Sequence, residues 1–200
     1  MHVEFLLEEP SAEAALGLLL PKLLPAGTRF ELRNLHDKGN LLSNLQNRLR
    51  GLASQQIPDL RIVVLVDRDD SSCQLLKQKL EDTAAAVGLP TKSSANGGSF
   101  VVLNRIAIEE LEAWFFGDVE ALRAAYPKVP ATLGSQARYR DPDAIVGGTW
   151  EALERVLQGK GYHRGGLQKI KAAKEIAAHM DPARNRSRSF RVFMEGLAAL

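Results

Sequence analysis

The chain has 200 residues, 45% of them hydrophobic and 25% charged, with a formal net charge of +2. This is the composition of a globular domain, and it excludes a low-complexity chain. The single cysteine, Cys73, excludes an internal disulfide framework and a cysteine-built zinc site. No apolar stretch is long enough to span a bilayer, and the first residues lack the pattern of a secretory signal, so the expected setting is cytoplasmic, without a membrane.

In chain order, His2 to Leu7 reads as a first strand that ends at Glu8-Glu9-Pro10-Ser11. A helix follows from Ser11 through Leu24, with Leu16, Leu19, Leu20 and Leu23 at helical spacing. Thr28 to Leu35 has the alternation of a second strand, and Leu41 to Leu52 carries a leucine stripe of helical period. The apolar run Ile62–Val66 reads as a strand buried on both faces. A helix from about Ser71 to Val87 is closed by Gly88, a polar loop covers Thr91 to Ser99, and Phe100 to Ile108 is the fourth strand.

After Glu109 strand signals fade. Helices are predicted over Glu109–Tyr126, Pro142–Leu157, Leu167–His179 and Ser189–Leu200. Alternating strands and helices imply right-handed crossovers and a mainly parallel sheet. The expected fold is therefore α/β, with a core over residues 1–126 and a helical C-terminal section over residues 127–200 packed on it.

Two strands end in carboxylates. The first terminates at Glu8 and Glu9, and the third at Asp67-Arg68-Asp69-Asp70. Open α/β sheets place ligand crevices at the carboxyl ends of their strands. Carboxylates crowded there repel one another unless a cation intervenes, and Mg²⁺ or Mn²⁺ suits such hard oxygen donors. If the first and third strands are neighbours, Glu8 faces Asp67 and Asp69, with Asp70 a further candidate ligand. The Asp residues would hold the ion and Glu8 would manage a proton. Asp residues after a strand also serve as turn and cap formers, and acids at a helix start are favoured by the helix dipole. Glu112, in Glu109-Glu110-Leu111-Glu112-Ala113-Trp114, is a further candidate ligand, or else part of the acidic first turn of a helix.

Glu8 with Ser11 and Glu13 after the first strand, and Asp67-Arg68-Asp69 after the third, resemble the two motifs of the Toprim domain. That domain occurs in primases, topoisomerases, overcoming-lysogenisation-defect nucleases and recombination proteins. The resemblance implies a glutamate in acid–base or metal chemistry and an aspartate pair for Mg²⁺. Glu9 departs from it, since many members have glycine there. Val63 to Asp70, Ile108 to Asp118 and Ser187 to Phe190 together resemble an uncharacterised bacterial Toprim-like family, a domain of unknown function sometimes encoded beside ATPases in phage-defence-like settings.

Between Arg155 and Arg191 ten Lys or Arg face only Glu175 and Asp181. A basic section opposite acidic strand ends suits a polyanion bound through metal. Lys160, Arg164, Lys169, Arg186 and Arg188 are the candidate nucleic-acid contacts. The resulting expectation is a Mg²⁺- or Mn²⁺-dependent phosphodiester-processing protein, a nuclease of a bacterial defence-type system. The alternative is a non-catalytic binding or regulatory module working with an ATPase partner.

Overall fold

The computed structural model describes residues 1–200. Four strands, β1 (His2–Leu7), β2 (Arg29–Asn34), β3 (Leu60–Asp67) and β4 (Val102–Ala107), form one sheet in the order β2-β1-β3-β4, and every pairing is parallel. Each crossover is helical: α1 (Pro10–Leu23), α2 (Lys38–Ser54) and α3 (Cys73–Ala85).

Side chains alternate across the sheet, so each strand feeds two cores. Val3, Phe5, Leu7, Val63, Leu65 and Leu103 face α1 and the C-terminal helices in a cluster of 37 buried residues. Leu6, Ile62, Val64, Val66 and Val102 face α2 and α3 in a second cluster of 13. The helices present matching stripes: Ala12, Ala15, Leu16, Leu19 and Leu20 on α1, and Leu41, Leu45, Leu49 and Leu52 on α2. Local chemistry fixes where these helices start. Pro10 occupies the first turn of α1, where its missing N–H costs nothing. The Asp37 carboxylate accepts from the Asn40 amide at 2.7 Å to cap α2, and Ser72 caps α3.

Five more helices follow: α4 (Glu112–Gly117), α5 (Val119–Ala125), α6 (Thr149–Gln158), α7 (Lys169–His179) and α8 (Arg188–Leu197). They belong to the larger cluster, which runs from Val3 to Leu197. Helix α7 packs along α1, and α8 lies against β4. Trp114 anchors this side. Its Nε1 donates to Ser189 Oγ at 2.9 Å, and its ring sits 5.1 Å from that of Phe190 and 5.0 Å from that of Phe193. No helix is long and apolar enough to cross a membrane.

The expected helix over Glu109–Tyr126 is two helices with a late start. Glu109 is left-handed at φ 57°, and Asp118 leaves the helical region at φ −125° and ψ 80°. The Asp118 carboxylate caps α5 through the Ala121 amide at 3.1 Å, and it receives the Arg184 guanidinium at 2.8 and 2.9 Å. A buried cap with a bidentate partner thus outweighs helix continuation. The helix expected from Pro142 begins only at Thr149. A short 3₁₀ turn (Pro142–Ala144) already gives way to extended backbone at Ile145, and Gly147 and Gly148, at φ 81° and 79°, complete the break before α6.

Candidate functional site

The strand order places the site. The connection leaving β1 runs to β2 through α1 on one face, and the one leaving β3 runs to β4 through α3 on the other. The gap between the carboxyl ends of β1 and β3 is therefore the switch point of the sheet, where ligands of open α/β folds enter. The register pairs Leu7 with Leu65, so Glu8 leaves β1 level with Val66, one residue before Asp67. The Asp67 amide donates to Glu8 Oε2 at 2.9 Å. On the other side Asp67 pairs with Ala107 of β4, which brings the Ile108–Leu111 connection, and with it Glu112, over the same edge.

The connection is held by two left-handed, non-glycine residues. Asp69 at φ 47° donates its amide to the carbonyl of Glu109 at φ 57°, at 2.8 Å. Such conformations cost free energy and persist where surrounding contacts enforce them, often at functional sites. Here the Arg68–Glu109 ion pair, and the Arg68 amide bonded to the Ala107 carbonyl at 2.9 Å, clamp the two strand ends together.

Electrostatically the edge is crowded. Asp67 is 8% exposed, and burial holds its carboxyl well above the usual range, with Glu9, Glu112, Glu8 and Asp69 pushing the same way. Burial pushes Glu8 up to about 7; the Asp67 amide and Lys38 oppose the shift, while Asp69 and Glu9 add to it. Glu112, 1% exposed, is pushed up to about 8, first by burial and then by Glu9 and Glu110, with Lys169 opposing. Its Oε2 has no hydrogen-bond partner, although buried polar atoms normally find one. Desolvation plus like charge at a strand-end crevice is the pattern of functional carboxyls.

Two lysines answer the negative charge. Lys38 Nζ, from the start of α2, contacts Asp69 Oδ2 and the Arg68 carbonyl, each at 2.9 Å. Lys169, the first residue of α7, places Nζ 3.7 Å from Glu9 and 5.1 Å from the centre of the Trp150 ring. Burial alone would lower its pKa, but Glu112, Glu9, Glu110 and Asp67 outweigh that and hold it above its ordinary value. Glu9 is bonded in turn to Ser11 Oγ.

Of the residues singled out from the sequence, Glu8, Asp67, Asp69, Glu112 and Lys169 meet at this edge. Asp70 lies exposed in the turn that follows. Lys160 and Arg164 are exposed in the segment between α6 and α7, while Arg186 and Arg188 are exposed around the start of α8. Glu110 turns away, accepting from the Thr149 amide, the Thr149 hydroxyl and the Trp150 amide, each at 2.9 Å, and so caps α6. Sequence reasoning did not assign Lys38, whose only signal was its place after Asp37 at a helix start. It also missed Glu9 as a partner of Lys169.

The donors at this edge are hard carboxylate oxygens, the kind that suits Mg²⁺ or Mn²⁺, and the buried Glu112 Oε2 has no hydrogen-bond partner. No three His, Cys, Asp or Glu side chains converge as a ready-made metal cage. Glu8 is committed to the Asp67 amide and Asp69 to Lys38. No curated protein and no solved structure matches the chain. A family model, a domain of unknown function designated DUF4276, matches residues 7–198, and the protein belongs to that family.

Proposed function

We propose that the strand-end site binds a divalent cation and hydrolyses nucleic-acid phosphodiesters, in the manner of a Toprim-like nuclease of a bacterial defence-type system. The observation that carries this reading is the unpartnered oxygen of the buried Glu112 beside Asp67, in a cluster whose like charges call for a cation. Asp67 and Glu112, joined by Asp69 once it parts from Lys38, would hold Mg²⁺ or Mn²⁺, which would supply positive charge at the phosphoryl group. Glu8, pushed up to about 7, has the proton affinity to take a proton from an attacking water near neutral pH. The water oxygen bonds to phosphorus, the ester P–O bond breaks, and the departing oxygen takes a proton from solvent. Lys169 neutralises a non-bridging phosphate oxygen, and the exposed Lys160, Arg164, Arg186 and Arg188 contribute sequence-independent backbone affinity.

A second reading has its own support. Lys38 and Lys169 already answer part of the acidic charge from within the fold. A non-catalytic module acting with an ATPase partner would keep the fold and that internal neutralisation. Calorimetric titration with Mg²⁺ and Mn²⁺, together with cleavage assays on plasmid and single-stranded substrates, separates the two. The nuclease reading requires metal binding and cleavage that are both lost in Asp67→Asn. Metal binding without cleavage favours the module, and cleavage that survives the substitution removes the site from the chemistry.

A further inference from the structure

A second polar cleft, of about 550 Å³, opens at the far end of α4 from Glu112. Four guanidinium groups line it, those of Arg123, Arg140, Arg184 and Arg186, against two carboxylates, Asp118 and Glu120. They come from four places in the chain: α5, the segment before the Pro142 turn, and two positions ahead of α8.

The cleft is built rather than accidental. Asp118, whose side chain is fully buried, spends all its acceptor capacity on the Ala121 and Asp181 amides and on Arg184 Nε and Nη2. Arg184 is thereby fixed as a planar fork, with Nη1 3.3 Å from Glu120. Arg186 is positioned through its backbone, whose amide donates to the Gly117 carbonyl at 2.9 Å, and through Nη2, which donates to the Gly134 carbonyl at 3.3 Å. Gly117 is required by this packing, and Gly134 leaves room for the Arg186 guanidinium. A Cβ at Gly117 would lie 2.0 Å from Asn185 Oδ1, and one at Gly134 would lie 2.5 Å from Arg186 Nη2. Tyr139, stacked on Phe116 at 5.2 Å and 8°, anchors the chain immediately ahead of Arg140.

Arg123 and Arg140 enter no ion pair, so the charge facing the cleft is left unbalanced. No aromatic ring lines the cleft, and only two of its eleven lining residues are hydrophobic. An apolar ligand has little to pack against there, and a base would find no aromatic ring. Guanidinium forks match the geometry of phosphoryl oxygens, often in bidentate fashion.

We propose that this arginine cleft binds a phosphoryl group, either of a free phosphate compound or of a nucleic-acid backbone. The assignment does not depend on metal or cleavage at the strand-end site. Inorganic pyrophosphate and a fluorescein-labelled single-stranded oligonucleotide are the two probes. They are titrated against the wild type, against the double variant Arg123→Gln/Arg140→Gln, and against Lys79→Gln as an exposed-charge control on α3. Both arginines of the double variant are exposed, and circular dichroism checks that it stays folded.

Loss of two charge-assisted contacts should weaken pyrophosphate binding by about tenfold or more, with the control unchanged. If the oligonucleotide weakens in parallel, and its salt dependence falls by about one to two counter-ions, the cleft holds a backbone phosphate. If only pyrophosphate weakens, the ligand is a small phosphate compound. Failure of the wild type to bind either probe, or equal affinity of the wild type and the double variant for both, overturns the proposal.

Discussion

Glu8 Oε2 accepts the backbone amide of Asp67 at 2.9 Å across 59 positions of chain, joining the ends of β1 and β3 at the point where the strand order reverses. The bond needs an acceptor oxygen at that point but not a negative charge. Glu8→Gln keeps the acceptor and should unfold within about 1 kcal/mol of the wild type, whereas Glu8→Ala strands the amide and should cost about 1–3 kcal/mol. Urea denaturation at pH 7 measures both, and equal losses would mean that the amide finds another partner.

Glu112 carries a pH dependence whose sign can be worked out. Its folded pKa of about 8 lies above the ordinary value of 4.5, so the native state keeps a proton that the unfolded chain has released. Stability then falls as pH rises from about 4.5 to about 8, and levels off beyond. Glu112→Gln does not titrate. Without divalent ions it should match the wild type near pH 4.5 and exceed it by at least about 1 kcal/mol at pH 8.5. Parallel stability curves for the two proteins across that window would contradict the raised pKa.

Lys169 compensates the same carboxyls from α7. Lys169→Gln leaves them less balanced and should lose about 1–2 kcal/mol at pH 7. If the strand-end carboxyls take up a divalent ion, millimolar MgCl₂ should raise the melting temperature of Lys169→Gln more than that of the wild type. Differential scanning calorimetry with and without EDTA reads this difference, and an equal or absent response in both proteins counts against metal uptake.

Gly117 ends α4 directly beneath the chain that carries Arg186. Gly117→Ala forces a methyl into Asn185 Oδ1 and within 2.9 Å of the Ser187 amide, displacing a buried backbone anchor. A loss of roughly 1–3 kcal/mol is expected. Gly51→Ala is the contrasting case, because the exposed Gly51 of α2 has open space around its missing Cβ. It should gain up to about 1 kcal/mol from helix propensity alone. Thermal melts of the two variants should therefore move in opposite directions.

How far the sequence reaches depends on the range of the interaction. The parallel sheet was legible because runs such as Ile62–Val66 are buried on both faces and are separated by helical leucine stripes. The convergence of Glu8 with Asp67 followed from one further step, that β1 and β3 are neighbours. Both breaks in the C-terminal helices were hidden for opposite reasons. Gly147-Gly148 was a local signal that a long helical reading overrode. Asp118 is an ordinary helix residue until Arg184, 66 positions later, supplies its partner. The arginine cleft was invisible for the same cause: Arg123, Arg140, Arg184 and Arg186 show no periodicity, and only the tertiary fold gathers them.

Glu81 on α3 ties that helix to Thr91 and to Asn104 of β4, and its titration runs opposite to that of Glu112. Burial would raise its pKa, but Lys77 at 2.6 Å, the Thr91 hydroxyl and the Asn104 amide at 3.0 Å hold it below the ordinary value of 4.5. The native state therefore binds its proton more weakly than the unfolded chain does. The stabilisation is present above pH 4.5 and is lost as pH falls through the lower folded value. Glu81→Gln gives up the charge-assisted part of these bonds and should be about 1 kcal/mol less stable at pH 7. The gap should close steadily below pH 4.5, as the wild-type carboxyl is neutralised. Guanidinium unfolding at pH 7, 4 and 3 measures the gap, and a gap of constant size at all three values would show that the network owes nothing to the charge on Glu81.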